Sequence, residues 1–388
     1  MAYQVKTTKS YGSRLGESAK GIFTGFIMFI IGTVLLFWNE GNFVKTKKAI
    51  NEVKKETVIV SDVSTIDPAL SGKPIHATAF ANTEDILTDD MFGVSENAIS
   101  INRQVEYYQY VEHSKSETRD KIGGGEETIT TYSYEIEWVK EPVNSSNFAD
   151  PEYRSANKVL RVVEPKTQYA QNVSFGGYKL PTFFISQISG SVPAEVNIEP
   201  EEMMHVSDNV VYFGESFSNP QIGDVRVTLT KILPAEISII GKVTGSTFEK
   251  YIAKNGKEFA RLAMGQKSAH NMFEEAHAEN SMITWLLRII GIIVIVMGLK
   301  SMLKIIPTLL KVLPFLGNIV EAGLGLVCAI GGGAWSLLII ALAWLFYRPL
   351  IGIPMLAAAI AGIWYLKKVG KEKKLAAAQL AQQETVDE

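Results

Sequence analysis

The chain has 388 residues, a formal charge of −3 and a single cysteine, Cys328. A nucleic-acid binder gathers a basic excess on one face, so this charge argues against a nucleic-acid partner, and one cysteine excludes an intrachain disulfide framework. Apolar residues concentrate near the N-terminus and in the last quarter, while the middle is polar and rich in Tyr, Thr, Val and Glu. That profile predicts a membrane protein with a large water-facing domain.

Residues 1–20 read as a cytosolic tail carrying Lys6, Lys9, Arg14 and Lys20. The run Gly21–Trp38, "GIFTGFIMFIIGTVLLFW", holds no charge and is long enough for a hydrocarbon core of ~30 Å. It ends in bulky residues, whereas a cleaved leader has a shorter apolar run and small residues before the cut. We read it as a retained anchor, with Trp38 at the membrane interface and the following "WNEG" as the point where the chain leaves the membrane.

Residues 39–281 form the expected outward domain, and its pattern is β. "SINRQVEYYQYVEHSKSET" and "ETITTYSYEIEWVK" alternate at period two, with the glycines of "RDKIGGGE" between them. This predicts a long two-stranded ribbon. Further strands are expected at 57–63, 75–80, 159–163, 210–213, 225–229 and 236–243, and short helices at 180–188 and 248–254. Tyr107, Tyr108, Tyr110, Tyr132, Tyr134 and Trp138 fit either a ligand groove or the ordinary filling of a pleated surface. The domain closes on a helix expected to run into the second span without a break. On that helix His270, Glu274 and His277 share one face and are metal-ligand types. The order is not His-Glu-x-x-His, and a solvated helix face explains the same residues.

Further spans are expected at 282–302, 319–346 and 349–366, the last two joined by a tight turn holding Arg348. Segment 303–318 is either a helix in the cytosolic interface, with Lys304 and Lys311 reaching headgroups, or a simple apolar loop. Residues 367–388 form a second cytosolic tail, with Lys367, Lys368, Lys371, Lys373 and Lys374. The lysine distribution puts both termini in the cytosol. The fold class is therefore an α+β membrane protein: four transmembrane helices, one N-terminal and three C-terminal, around a large β-rich non-cytosolic domain.

Glu321 and Arg348 are the charges to notice in or beside the spans, because ionisable groups there face protein or water. Gly21, Gly25, Gly32, Gly291, Gly298, Ala358 and Gly362 are small residues at close-packing spacing; they suit packing within one chain or between copies. No catalytic constellation, cofactor motif or metal site is evident.

The stretches "LLFWNEGNFVKTKKAINE", "RQVEYYQYVE", "YSYEIEW", "IGDVRV", "MFEEAHAENSMITWLLR" and "AWLFYRPLIG" together resemble the transmembrane protein 43 family, also called LUMA, in the family's order and over nearly the whole chain. The resemblance implies one N-terminal span, a lumenal or periplasmic domain and three C-terminal spans. It implies the endoplasmic reticulum and inner nuclear membrane in a eukaryotic cell, and the inner membrane in a bacterium. It also implies self-association and a part in organising membrane protein complexes, with no catalytic residues to carry over. The function expected is a non-enzymatic scaffold whose partners are the lipid bilayer, further copies of itself and other membrane proteins. The alternatives are a ligand- or metal-responsive membrane protein, or a subunit of a transport or channel assembly.

Overall fold

The computed structural model describes residues 3–354, with Ala357 and Ala361. The chain divides into two compact units. One comprises the residues up to Ser10, Lys48–Lys121 and Gly125–Ala278. The other comprises Tyr11–Lys47, Ile122–Gly124 and the chain from Glu279 onward.

The first unit is built on two sheets. The larger, among the described residues, runs Tyr3–Lys9, Glu126–Val139, Ser100–Asp120, Val225–Ile232, Val210–Phe213 and Met204–Ser207 in spatial order, with two short strands alongside. Its two longest strands pair from Tyr107↔Val139 to Asp120↔Glu126, and this is the ribbon expected from the alternating pattern. Gly123 and Gly124 turn its end with φ of +91° and +84°, a region that costs a residue with a Cβ and is open to glycine. Val105, Tyr107, Val225, Val227 and Leu229 point to one side and form this sheet's core with Val211 and Phe213. The period of two is what places them together.

The sheet also takes in part of the segment expected as a cytosolic tail. Tyr3–Lys9 pairs antiparallel with the ribbon, from Tyr3↔Tyr132 to Lys9↔Glu126. Lys6 reaches Glu127 at 2.6 Å and Lys121 reaches it at 2.8 Å. Lys121 first and Lys6 second hold the Glu127 carboxyl below its usual range.

The second sheet, seven-stranded among the described residues, centres on Pro74–Thr83 and Ala235–Thr244, paired from Ala235↔Ala81 to Lys242↔Pro74. Its core holds Ile75, Ala77, Phe175, Phe184, Ile237, Ile239 and Phe248. The helix expected at 180–188 is a single turn, Thr182–Ile185. No strand forms over 159–163, and 248–254 is extended as Thr247–Glu249 and Tyr251–Ile252 where a helix was expected. Phe248 explains the second difference: its ring packs on Phe175, Tyr178 and Phe184, and that core contact decides a segment with weak helical preference. Ile50 and Val53 pack with Ile240, Met272 and Phe273 in a smaller cluster of the same unit.

The second unit is helical. Tyr11–Glu56, Ala269–Leu303 and Pro314–Tyr347 are each long and apolar enough to cross a membrane, and the first two contribute residues to both units. Phe23, Ile31 and Val34 on the first helix are 69, 55 and 60 % exposed. Apolar surface of this extent is stable against lipid, not water. The first helix does not stop at Trp38; it runs on through "NEG" to Glu56. The short helix Ile305–Leu310 joins the second and third long helices. Within this unit Tyr11 donates to the Leu309 carbonyl at 3.1 Å, Ser18 meets Thr308 at 3.0 Å, and Arg14 donates to the Gly124 carbonyl at 2.9 Å. The expected fourth span, 349–366, is helical from Pro349 to Pro354; most of it lies outside the described residues, as do Ala358 and Gly362.

Candidate functional site

The first and second long helices touch through backbone. A Cβ added at Gly25 would lie 2.6 Å from the Gly298 carbonyl oxygen, and one at Gly298 would lie 2.7 Å from that of Gly25. Gly32 abuts Ile295, Gly291 abuts Leu36, and Gly21 lies by Ser301. These glycines therefore face a neighbouring helix of the same chain. The third helix joins through Gly332 against Val296 and through Trp335, whose indole donates to Thr33 Oγ1 at 3.0 Å.

At one end of these contacts sits a buried carboxylate. Glu40 has no exposure. Arg288 Nε lies 2.5 Å from its Oε1, and the Trp344 indole donates to its Oε2 at 2.8 Å. Arg348 Nη2 lies 3.6 Å from Oε2. The two guanidinium groups are in turn covered by rings: Arg288 lies 4.7 Å from the Trp285 centroid, and Arg348 lies 4.4 Å from that of Phe43. Next to the acid, Asn39 donates to the Thr284 carbonyl at 3.0 Å and Asn280 to the Phe43 carbonyl at 3.1 Å. Gly41 leaves room for the Tyr347 ring, whose Cζ would be 2.6 Å from a Cβ there.

A buried charge is tolerable only when paired and hydrogen-bonded. Here "WNEG", "TWLLR" and "AWLFYR" supply the acid, the donors and the aromatic cover from three helices. Both carboxylate oxygens are occupied, so the arrangement clamps helices and offers no free base. Of its members only Arg348 was singled out from sequence; it pairs within its own chain. Glu40 escaped notice because it sits two residues past an apolar run, where an acid ordinarily meets water. The usable signal was its position inside a helix that continues on both sides. Glu321, the acid expected within a span, pairs with Lys311 at 2.7 Å.

In the first unit, His270, Glu274 and His277 do not converge. Glu274 pairs with Lys54 at 3.2 Å, and that lysine chiefly holds its carboxyl below the usual range. Among the described residues the group with metal-ligand atoms within 4.8 Å of one another is His113, Glu135 and Glu137, all exposed on the ribbon. The period of two puts all three on one face of the ribbon, His113 opposite Ser133 and the two acids two and four residues further along the facing strand, and His113 already bonds Glu137 at 2.8 Å. The ribbon aromatics pack on each other or on neighbours. Tyr134 stacks on Tyr153 at 4.0 Å, Tyr110 meets Tyr153 edge-on at 5.0 Å, and Trp138 lies under Arg226 at 4.4 Å. Tyr134 also donates to Glu112 at 2.7 Å and accepts from the Asp150 amide at 2.8 Å; burial, then Glu112, pushes its hydroxyl up to about 12.

The family model described as Transmembrane protein 43 matches residues 107–349. Transmembrane protein 43 of Rattus norvegicus is 31 % identical over 351 residues, covering 87 % of each chain. The Homo sapiens protein of that name is 29 % identical over 388 residues, covering 96 % of each. The Drosophila melanogaster homolog is 25 % identical over 365 residues, 89 % of this chain and 94 % of its own. No solved structure matches the chain. With most of its length aligned to these membrane proteins, the chain belongs to the transmembrane protein 43 family.

Proposed function

We propose that the protein is a non-enzymatic membrane scaffold that self-associates and organises membrane protein complexes. The observation that carries this reading is the enclosed Glu40 cluster. Its acid is bound on both oxygens by side chains of its own chain, so this buried charge fixes helix positions and is not presented to a substrate. A fixed bundle suits a protein that works through its outer surface. On that surface Gly325, Ala329 and Gly333 recur at every fourth position of the third helix, and no atom lies within 4 Å of a Cβ added at Gly325 or Gly333. Small residues at this spacing let helices of separate copies approach closely.

Native mass spectrometry of the protein released from mild detergent tests the reading. A defined multimer that dissociates on Gly325→Leu with Gly333→Leu supports it; a monomer at every detergent concentration ends it.

The proposal includes four spans, the fourth over 349–366, with both termini in the cytosol and the β-rich segment 39–281 on the other side, apart from the ribbon end that pairs with Tyr3–Lys9. It puts the protein in the inner membrane of a bacterium, or in the endoplasmic reticulum and inner nuclear membrane of a eukaryote. The lysines flanking the later spans support this orientation. The pairing of Tyr3–Lys9 with the ribbon adds a condition: the far end of the ribbon shares the compartment of the N-terminus. Lys115, Glu117 and Arg119 lie exposed along that ribbon and do not enter lipid unaided.

A further inference from the structure

Where the second long helix ends and the third begins, the helical unit contains a cavity of about 340 Å³. Lys300 and Lys304 line it, one helical turn apart, together with Ser301, Met297, Leu324 and Glu321. The charges do not cancel. Glu321 is engaged by Lys311 at 2.7 Å, and Ser301 Oγ already donates to the Gly21 carbonyl at 2.9 Å. Among the described residues neither Lys300 nor Lys304 forms an ion pair. With Glu321 balanced by Lys311, Lys300 and Lys304 leave the cavity with an excess of two positive charges. Its remaining wall, Met297 and Leu324, is apolar. Ile306, Leu309 and Phe315 nearby are 43, 52 and 62 % exposed, as expected of a segment in contact with acyl chains.

We propose that this cavity is a binding site for the phosphate headgroup of an anionic glycerophospholipid. The ammonium groups of Lys300 and Lys304 take the phosphate as point charges with several donors each. Met297 and Leu324 take the start of an acyl chain. Glu321, held by Lys311, sets the upper limit of the cavity's positive charge. The apolar wall is what favours a lipid over free phosphate, which has no use for it.

The test is native mass spectrometry of the full chain in detergent doped with phosphatidylglycerol, phosphatidylcholine or excess inorganic phosphate. One phosphatidylglycerol per chain is expected to survive activation that strips phosphatidylcholine. Each lysine near an anionic headgroup strengthens binding about fivefold, so Lys300→Gln with Lys304→Gln weakens retention roughly thirtyfold. Glu321→Gln removes the opposing charge and strengthens retention. The lysine double variant breaks no ion pair among the described residues, and an unchanged melting temperature in phosphatidylcholine confirms that it folds. Equal retention of both lipids, or undiminished retention in the double variant, overturns the proposal. Displacement of the lipid by inorganic phosphate overturns the lipid assignment and leaves a free-phosphate site.

Discussion

Glu40 shows how one acid sets the terms for its neighbours. Removing its carboxylate leaves Arg288 and Arg348 facing each other under aromatic cover, and breaking a buried pair from one side costs about 3–5 kcal/mol. Glu40→Ala is therefore expected to lower the melting temperature in detergent sharply. Trp344→Phe keeps an aromatic face but loses the indole donor and part of the ring, and the lost hydrogen bond alone costs about 1 kcal/mol. Equal melting temperatures for wild type and Glu40→Ala would show that the cluster does not hold the helices. Tyr134 makes a pH prediction. Its hydroxyl ionises near 10.0 when free and about 12 when folded, so the folded state favours the proton. Its contribution is complete below pH 10 and is lost as pH climbs towards 12. Tyr134→Phe is expected to flatten the fall in denaturant midpoint over that range. At this scale the sequence made Glu321 and Arg348 visible, because a charge stands out within or beside an apolar run. It did not show Glu40's partners, since Arg288 lies 248 positions away and Trp344 lies 304 away.

The elements follow from pattern where the pattern is long. An uncharged apolar run predicts a membrane helix, and strict alternation on both sides of three glycines predicts the ribbon; both are present. Short elements depend on a partner that composition does not name. Tyr3–Lys9 has polar, weakly alternating residues and becomes a strand only because Glu126–Tyr132 offers a free edge. The reverse holds for 159–163, whose β-branched residues found no ladder. Helix contact yields a further prediction. Gly25→Leu forces a side chain into the Gly298 backbone and is expected to destabilise the bundle by about 2–3 kcal/mol. Gly323→Ala, with nothing within 4 Å, is expected to leave the melting temperature unchanged or slightly raised. If both variants melt like wild type, the two helices do not approach through these glycines.

For the molecule as a whole, composition along the chain was enough to separate apolar helices from a β-rich domain. Strand order was not legible, because a strand's edge partners are chosen by tertiary packing among several equally polar candidates. Orientation can be tested by single cysteines in a Cys328→Ser background, labelled with a membrane-impermeant maleimide. Thr8→Cys and Arg119→Cys are expected to react from the cytosolic side, and Asn255→Cys from the other. Reaction of Thr8→Cys and Arg119→Cys from opposite sides would break the strand pairing. Reaction of all three from one side would mean that the first long helix does not cross the bilayer.

That first strand has a consequence for how the protein is made. Residues 3–9 leave the ribosome well over a hundred positions before the strand they pair with. At about 5–20 residues per second, the delay is on the order of ten seconds. During it the first long helix is synthesised and enters the membrane while the strand before it has no ladder to join. Residues 3–9 thus settle only after the ribbon they dock onto has been built. A bulky fusion ahead of residue 3 sits on that docking edge throughout the wait.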